Sequence, residues 1–284
     1  MNGTPAVRHR LVGAALRRYR EHRGFRLEDA ATVLECDRSK ISRIETGQRG
    51  VRNRDLRDLL NEYGIGEHEQ AILVVLANPK RVRGWWADYE DVLTADQRDL
   101  AIMESLAART FAYHSQQIPA LLQTEEYARA VTSASRLPLG QRAVEAMLAR
   151  QQSILGKNEL ELTVIIGESA LRQQVGGADV MQVQLTHLAD VCENNTGVNL
   201  QVQPFASTAP ALDLGGLTIL TFAPDLGIVH LSGISGAIYL ADPYEVACYK
   251  AAFTQIRNAS ISVPDSAAML RRLAAGATGS DRAA

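Results

Sequence analysis

The sequence predicts an α+β protein: an all-α N-terminal region followed by a larger α+β region with a mixed sheet ending in an antiparallel meander. Three observations carry this. Up to Ala77 the apolar residues recur at helical spacing. From Asp96 onward, long helix-period stretches alternate with short runs rich in Val, Ile, Leu and Phe. The last three of those runs are separated by turn residues, Pro224, Asp225 and Gly227 in one gap and Ser232 to Gly236 in the next, which suits successive antiparallel strands. The expected domains are 1–78 and 79–274. Residues 275–284 are expected to be a disordered tail, because AAGATGSDRAA has no periodicity.

The first helix reads in LVGAALRRYREHRGF, from Leu11 to Phe25. Leu27, Ala30, Ala31 and Leu34 then repeat at i, i+3, i+4, i+7, the signature of one buried helical face. Glu35, Cys36 and Asp37 break the repeat, and the Asp37 carboxylate is placed to cap the next helix. That helix has apolar anchors only at Ile41 and Ile44, puts Arg38, Ser39, Lys40, Ser42 and Arg43 on its other faces, and stops at Gly47. Two short helices joined by a three-residue turn, the second with a cationic outer face, read as a helix-turn-helix unit suited to a major groove. A later helix reads in NRDLRDLLNEYGI. Charge is distributed to match: residues 1–64 hold 14 Lys and Arg against 9 Asp and Glu, whereas residues 65–284 hold 16 against 23. A basic module on an acidic body is expected when one end alone meets phosphate.

Residues 11–66 resemble the helix-turn-helix domain of the Xre, phage repressor-like family, most closely in the string ISRIETG. That resemblance implies that Arg38, Ser39 and Arg43 stand at base-reading positions and that Arg20 and Glu45 pair across the domain. Arginine suits bidentate contact with guanine, and serine discriminates less. Lys40, Ser42, Arg49 and Arg52 fall at the helix flank and in the following loop, where phosphates are contacted. The resemblance further implies a homodimer on double-stranded DNA, at an inverted-repeat operator with half-sites ~34 Å apart. The apolar helix Glu69 to Ala77 suits either the dimer contact or the first core element of the next domain.

Between these regions, ANPKRVR combines Pro79 with three cations and reads as a linker. Trp85, Trp86 and Tyr89 follow and are expected to pin it to the second domain, a ligand-lining or interface patch being the alternative. Beyond it, helices are expected at 96–107, 124–135, 140–155, 177–194, 244–258 and 265–274, and strands at 110–114, 161–166, 198–202, 217–222, 228–231 and 237–240. The strings IPALLQTEEYARAV, LARQQ, ESALRQQVGGADVMQVQLTHL, NLQVQPF and ADPYEVACYKAAF occur in order. As a set they resemble the C-terminal domain of unknown function in a large actinobacterial family of Xre-type regulators, several of them called antitoxin-like. The resemblance implies a small partner protein encoded nearby.

Other classes are disfavoured. No apolar run approaches the ~20 residues that span a bilayer, and MNGTPAVRHR has no hydrophobic signal region, so a cytoplasmic chain without a membrane partner is expected. Cys36, Cys192 and Cys248 are odd in number and far apart, which argues against a disulfide framework or a metal knuckle. Gly167 to Leu171 lacks the second glycine of a nucleophile elbow, no phosphate-binding glycine loop occurs, and the six histidines show no HxxxH or HxH spacing. No catalytic residue, metal or cofactor is therefore expected. A sensor remains open: Trp86, Tyr113, His114, Gln116 and His230, with Gln117 beside them, are candidates to line a small-molecule effector pocket. Their alternative reading is core or edge residues with local hydrogen bonds.

Overall fold

The computed structural model describes residues 7–78, 83–134, 140–156, 160–194, 197–208, 216–233 and 236–277. Five helices come first: α1 (Val7–His22), α2 (Leu27–Val33), α3 (Arg38–Glu45), α4 (Asn53–Glu62) and α5 (Glu67–Ala77). A 3-10 turn at Trp85–Tyr89 leads to α6 (Ala95–Leu106), β1 (Arg109–His114), a second 3-10 turn at Ala120–Leu122, α7 (Glu125–Ala134) and α8 (Gly140–Leu155). The rest is β2 (Glu161–Gly167), α9 (Glu168–Arg172), α10 (Ala178–Glu193), β3 (Val198–Gln203), β4 (Leu217–Ala223), β5 (Leu226–Gly233), β6 (Gly236–Leu240), α11 (Pro243–Asn258) and α12 (Val263–Ala277).

The α2–α3 turn closes with Glu35 in the left-handed region at φ 47°, and the Cys36 amide donates back to the Ala31 carbonyl at 3.0 Å. Asp37 occupies the N-cap of α3 with extended backbone, but its carboxylate makes no capping hydrogen bond, contrary to expectation. The turn is held by its backbone instead. Gly47 ends α3 at φ 72°, and an added Cβ there would lie 2.7 Å from the Arg10 backbone of α1. Gly13 marks where α1 and α3 touch: its Cβ would sit 2.4 Å from the Ile44 carbonyl oxygen.

One six-stranded sheet runs in the order β3-β2-β1-β4-β5-β6. Strands β1, β2 and β3 are parallel, β4 runs antiparallel to β1, and β4-β5-β6 form the antiparallel meander. The β4–β5 turn is Pro224-Asp225 alone. Gly227 lies inside β5 opposite Thr221, next to a register shift between Thr221 and Ala223. The β5–β6 turn falls on residues 234 and 235, outside the described residues.

The sheet's two faces are covered differently. On one face, Tyr113, Ile165, Leu217, Ile219 and Val229 pack against Val246, Phe253 and Ile256 of α11. The opposite face is shared by two helical layers. Over β1–β3, Leu162, Val164, Leu200 and Val202 pack with Met181, Leu185 and Leu188 of α10 and Leu270 of α12. Over the meander, Leu220, Phe222, Leu226, Ile228 and Tyr239 join one apolar core with α1, α3, α4 and α5, and Met103 of α6 lies in it too. Ile72, Leu73 and Leu76 of α5 are buried in that same core, so within one chain α5 serves as a core element. Arg8 of α1 clamps the junction, donating to Asp99 of α6 at 2.7 Å and to the Leu76 carbonyl at 2.8 Å.

Two further departures are local. Helix α9 has five residues, too few to show a helical period, and no element is expected there from the sequence. Residues 275–277, expected in the tail, continue α12 with Ala274 and Ala277 buried; residues 278–284 lie outside the described residues. The linker's Pro79 to Val82 also lie outside them.

The 2.4 Å approach at Gly13 makes a test. Gly13→Ala should force α1 and α3 apart and cost about 1 to 3 kcal/mol in denaturant unfolding, despite the better helix propensity of alanine. A neutral or stabilising effect would show that the close contact does not hold in solution.

Candidate nucleic-acid interface and an internal cavity

Helix α3 is oriented by its two apolar anchors, since Ile41 and Ile44 are both buried in the N-terminal core. Arg38, Ser39 and Arg43 are thereby left exposed on the outer side, with Lys40 and Ser42 half-buried and Arg49 and Arg52 exposed in the loop after it. The main contacts with the α+β domain are made by α1 and α5, so that outer side stays open to solvent. Its cations differ in availability. Arg38 pairs with Glu28 of α2 at 2.9 Å, and Lys40 pairs with Asp55 of α4 at 2.7 Å. Arg43, Arg49 and Arg52 form no ion pair with a described residue; the Arg43 Nε donates to the Ser39 carbonyl at 3.2 Å. Lys40 is thus already neutralised by a carboxylate from another helix, a partner its sequence neighbourhood did not reveal.

Arg20 and Glu45 meet in a buried, bidentate pair, Nε to Oε1 at 2.7 Å and Nη2 to Oε2 at 2.9 Å. The remaining Arg20 Nη1 donates to the Phe25 carbonyl at 2.8 Å, which ties the end of α1, the loop into α2 and the end of α3 together. Glu45 in turn holds the Arg20 guanidinium charged, raising its pKa further through hydrogen bonding. Such a fork fixes the angle of α3 against α1 because both N–H···O bonds must be satisfied at once.

A second feature lies on the sheet face between the two helical layers. Thr110, Ala112 and His114 of β1, Thr218 of β4, and His230 and Ser232 of β5 floor a cavity of about 220 Å³. Leu100 and Glu104 of α6, Arg150 of α8 and the segment Gln117–Leu121 close it. Glu104 is buried and binds Arg150 through both oxygens, at 2.8 Å to Nε and 2.5 Å to Nη2. Burial pushes both imidazoles down to about 4, with the Arg150 charge adding to it. Both histidines are therefore neutral at pH 7.

Of the residues considered for a pocket, His114, Gln117 and His230 line this cavity, and three others do not. Tyr113 alternates to the opposite side of β1, where it is fully buried and donates to Gln203 at 2.7 Å. Gln116 is exposed in the loop after β1. Trp86 packs on Ala101 and Ile102 of α6, with Trp85 beside it, and so pins the post-linker segment to the second domain. Arg150 and Glu104 were missed, because the only signal for them is an opposite-charge pair 46 positions apart.

Fold and site together define a two-part protein, a helix-turn-helix unit seated on an α+β domain that carries a polar-lined cavity. A helix-turn-helix domain family model matches residues 11–73. A second family model, a domain of unknown function (DUF5753), matches residues 97–272, and the chain belongs to that family. No curated protein and no solved structure matches the chain.

Two measurements follow from these groups. Arg20→Ala or Glu45→Ala alone should cost about 3 to 5 kcal/mol by stranding a buried charge, while the double change to apolar residues should cost much less. Additive losses in a double-mutant cycle would remove the coupling. For the histidines, the native pKa of about 4 lies below the unfolded 6.5, so the unfolded chain binds protons first as pH falls. Stability should be unaffected by them above about pH 6.5 and fall between there and pH 4, by up to about 1.4 kcal/mol per pH unit per histidine. The double variant His114→Gln/His230→Gln should flatten that slope; an unchanged slope would place their titration elsewhere.

Proposed function

We propose that this chain is a cytoplasmic, sequence-specific transcriptional regulator of the Xre, antitoxin-like type, which binds an inverted-repeat operator as a homodimer and represses by occluding a promoter. The observation that carries the reading is α3: its buried anchors hold an outer side open to solvent, on which Arg43 has no protein carboxylate to neutralise it among the described residues. Arg38, Ser39 and Arg43 take the base-reading roles. Arg49 and Arg52 take phosphates, with Ser42 at the flank and Lys40 in competition with Asp55.

The α+β domain is assigned dimerisation and signal reception. Strand β6 is an edge of the sheet, with Ile238 61% exposed on it and Tyr244 78% exposed just after it, which supports pairing with a second copy there. The signal is assigned to a small partner protein encoded nearby. A second reading, reception of a small molecule, is favoured by the cavity at His114 and His230. No catalytic step, metal or cofactor is assigned to the chain, and no helix among the described residues is long and apolar enough to cross a membrane.

Selection of bound genomic fragments by the purified protein, with affinities then measured across salt, tests the proposal. Enrichment of one inverted repeat is expected. Arg43→Ala should cost about 1 to 3 kcal/mol and relax base preference, whereas Arg49→Ala or Arg52→Ala should weaken all sequences alike and lower the salt slope by about one. Weak, salt-sensitive binding with no enriched sequence would overturn the reading.

A further inference from the structure

We propose that the cavity over β1, β4 and β5 binds a small monocarboxylate with a short apolar body, its charged end held by Arg150, His114 and His230 and its body by Leu100, Ile118, Pro119 and Leu121. The volume sets the size: about 220 Å³ is below the ~300 Å³ at which pockets for drug-sized molecules begin. The lining sets the polarity, because it combines the apolar Leu100, Ile118, Pro119 and Leu121 with the guanidinium, the two imidazoles and the Thr218 hydroxyl.

The choice of an acid over a neutral ligand comes from hydrogen-bond accounting. Glu104 is the cavity's one carboxylate among the described lining residues, and both its oxygens are taken by Arg150. Arg150 Nη1 makes no hydrogen bond to a described residue, nor does either imidazole. Arg150 Nη1 offers donors only and each neutral imidazole one donor beside one acceptor, and that acceptor becomes a second donor once protonated; a carboxylate accepts at every lone pair. Charge adds a condition. Arg150 and Glu104 cancel, so an anion entering this net-neutral, largely buried cavity loses hydration without gaining net charge unless a proton enters with it. The imidazoles can take that proton. The groups facing them are Arg150 of α8, Glu104 of α6, Tyr239 of β6 and each other, and a ligand carboxylate would offset the Arg150 charge that keeps them neutral. One proton goes onto His114 or His230 for each carboxylate bound, and no covalent bond changes.

The site is wired to the DNA-binding unit. Leu100 and Glu104 close the cavity from one side of α6, while Asp99 and Met103 of the same helix hold α1 and the N-terminal core. The His230 ring lies 5.0 Å from that of Tyr239, which sits in the core shared with the N-terminal helices. Calling the ligand an effector rests on the DNA-binding reading above; the binding site does not.

The test uses the full chain. Propionate, isobutyrate, isovalerate and benzoate at about 10 mM are compared with their primary amides by thermal shift, since a ligand bound only by the native state raises Tm. At least one acid should raise Tm and its amide should not. Calorimetric titration of that acid near pH 6.5, in two buffers of different ionisation enthalpy, should show uptake of about one proton, lost in His114→Gln/His230→Gln together with at least about tenfold in affinity. Glu104→Gln/Arg150→Gln, changed together so that no buried charge is stranded, should lose the preference for acid over amide. If these variants fail to fold, the acid–amide comparison and the proton count on the unaltered protein decide. No shift by any acid, equal shifts by acid and amide, or binding without proton uptake would each overturn the site. DNA affinity is measured separately with and without the acid. A bound acid that leaves it unchanged overturns the effector role alone, and absent DNA binding overturns the regulator reading alone.

Discussion

The structure depends on one sheet face being buried twice. Leu220, Phe222, Leu226 and Ile228 of the meander would be an exposed apolar patch if the α+β domain stood alone, and the N-terminal helices cover it. The same burial fixes the direction of the recognition helix. Helices α1 and α5 are spent on the sheet, so α3, on the other side of the helical core, keeps its cationic residues in solvent. The helix-turn-helix unit is therefore not carried on a tether: it shares an apolar core with the α+β domain, so a change of packing in one has a physical route to the other.

Helix α6 sits where the layers meet, and its sequence reflects three demands at once. Ala101 and Ile102 take the tryptophan that follows the linker, Met103 and Asp99 face the N-terminal domain, and Leu100 and Glu104 close the cavity. Polar groups at the gap between the two cores follow from geometry. Neither helical layer reaches over that strip of the sheet completely, so the side chains there are His114, Thr110, Thr218 and His230 rather than the aliphatic residues on either side. Among the described residues buried carboxylates stand at three places: Glu45 and Glu104 each take a two-pronged contact from Arg20 and Arg150, and Glu168 takes Arg172 on one oxygen and the Phe205 amide on the other.

Much of the architecture was legible in the sequence because amphipathic periodicity is local. The helix-turn-helix spacing from Leu27 to Gly47, the meander and the six strands within a residue or two all follow from patterns a few residues long, although Gly227, expected in the first meander turn, lies inside β5. Failures occurred where the deciding contact was distant. The Asp37 carboxylate makes no cap, the Lys40 amide of α3 going to the Asp37 carbonyl instead, and the Lys40 side chain was claimed by Asp55. Tyr113 and His114, adjacent in the chain, went to opposite faces of the sheet, so a cluster in sequence did not become a cluster in space.

By itself the sequence determined the two-part organisation, the helix-turn-helix, the cationic outer side of α3 and the antiparallel end of the sheet, since each is set by side-chain period, turn chemistry and charge over short stretches. Only the tertiary structure decided the strand order β3-β2-β1-β4-β5-β6, the docking of α1 and α5 on the meander, and the meeting of His114, His230, Glu104 and Arg150 around one cavity. Those are choices among partners far apart along the chain. They are settled by which apolar faces bury each other most completely and by which charges can be paired once buried.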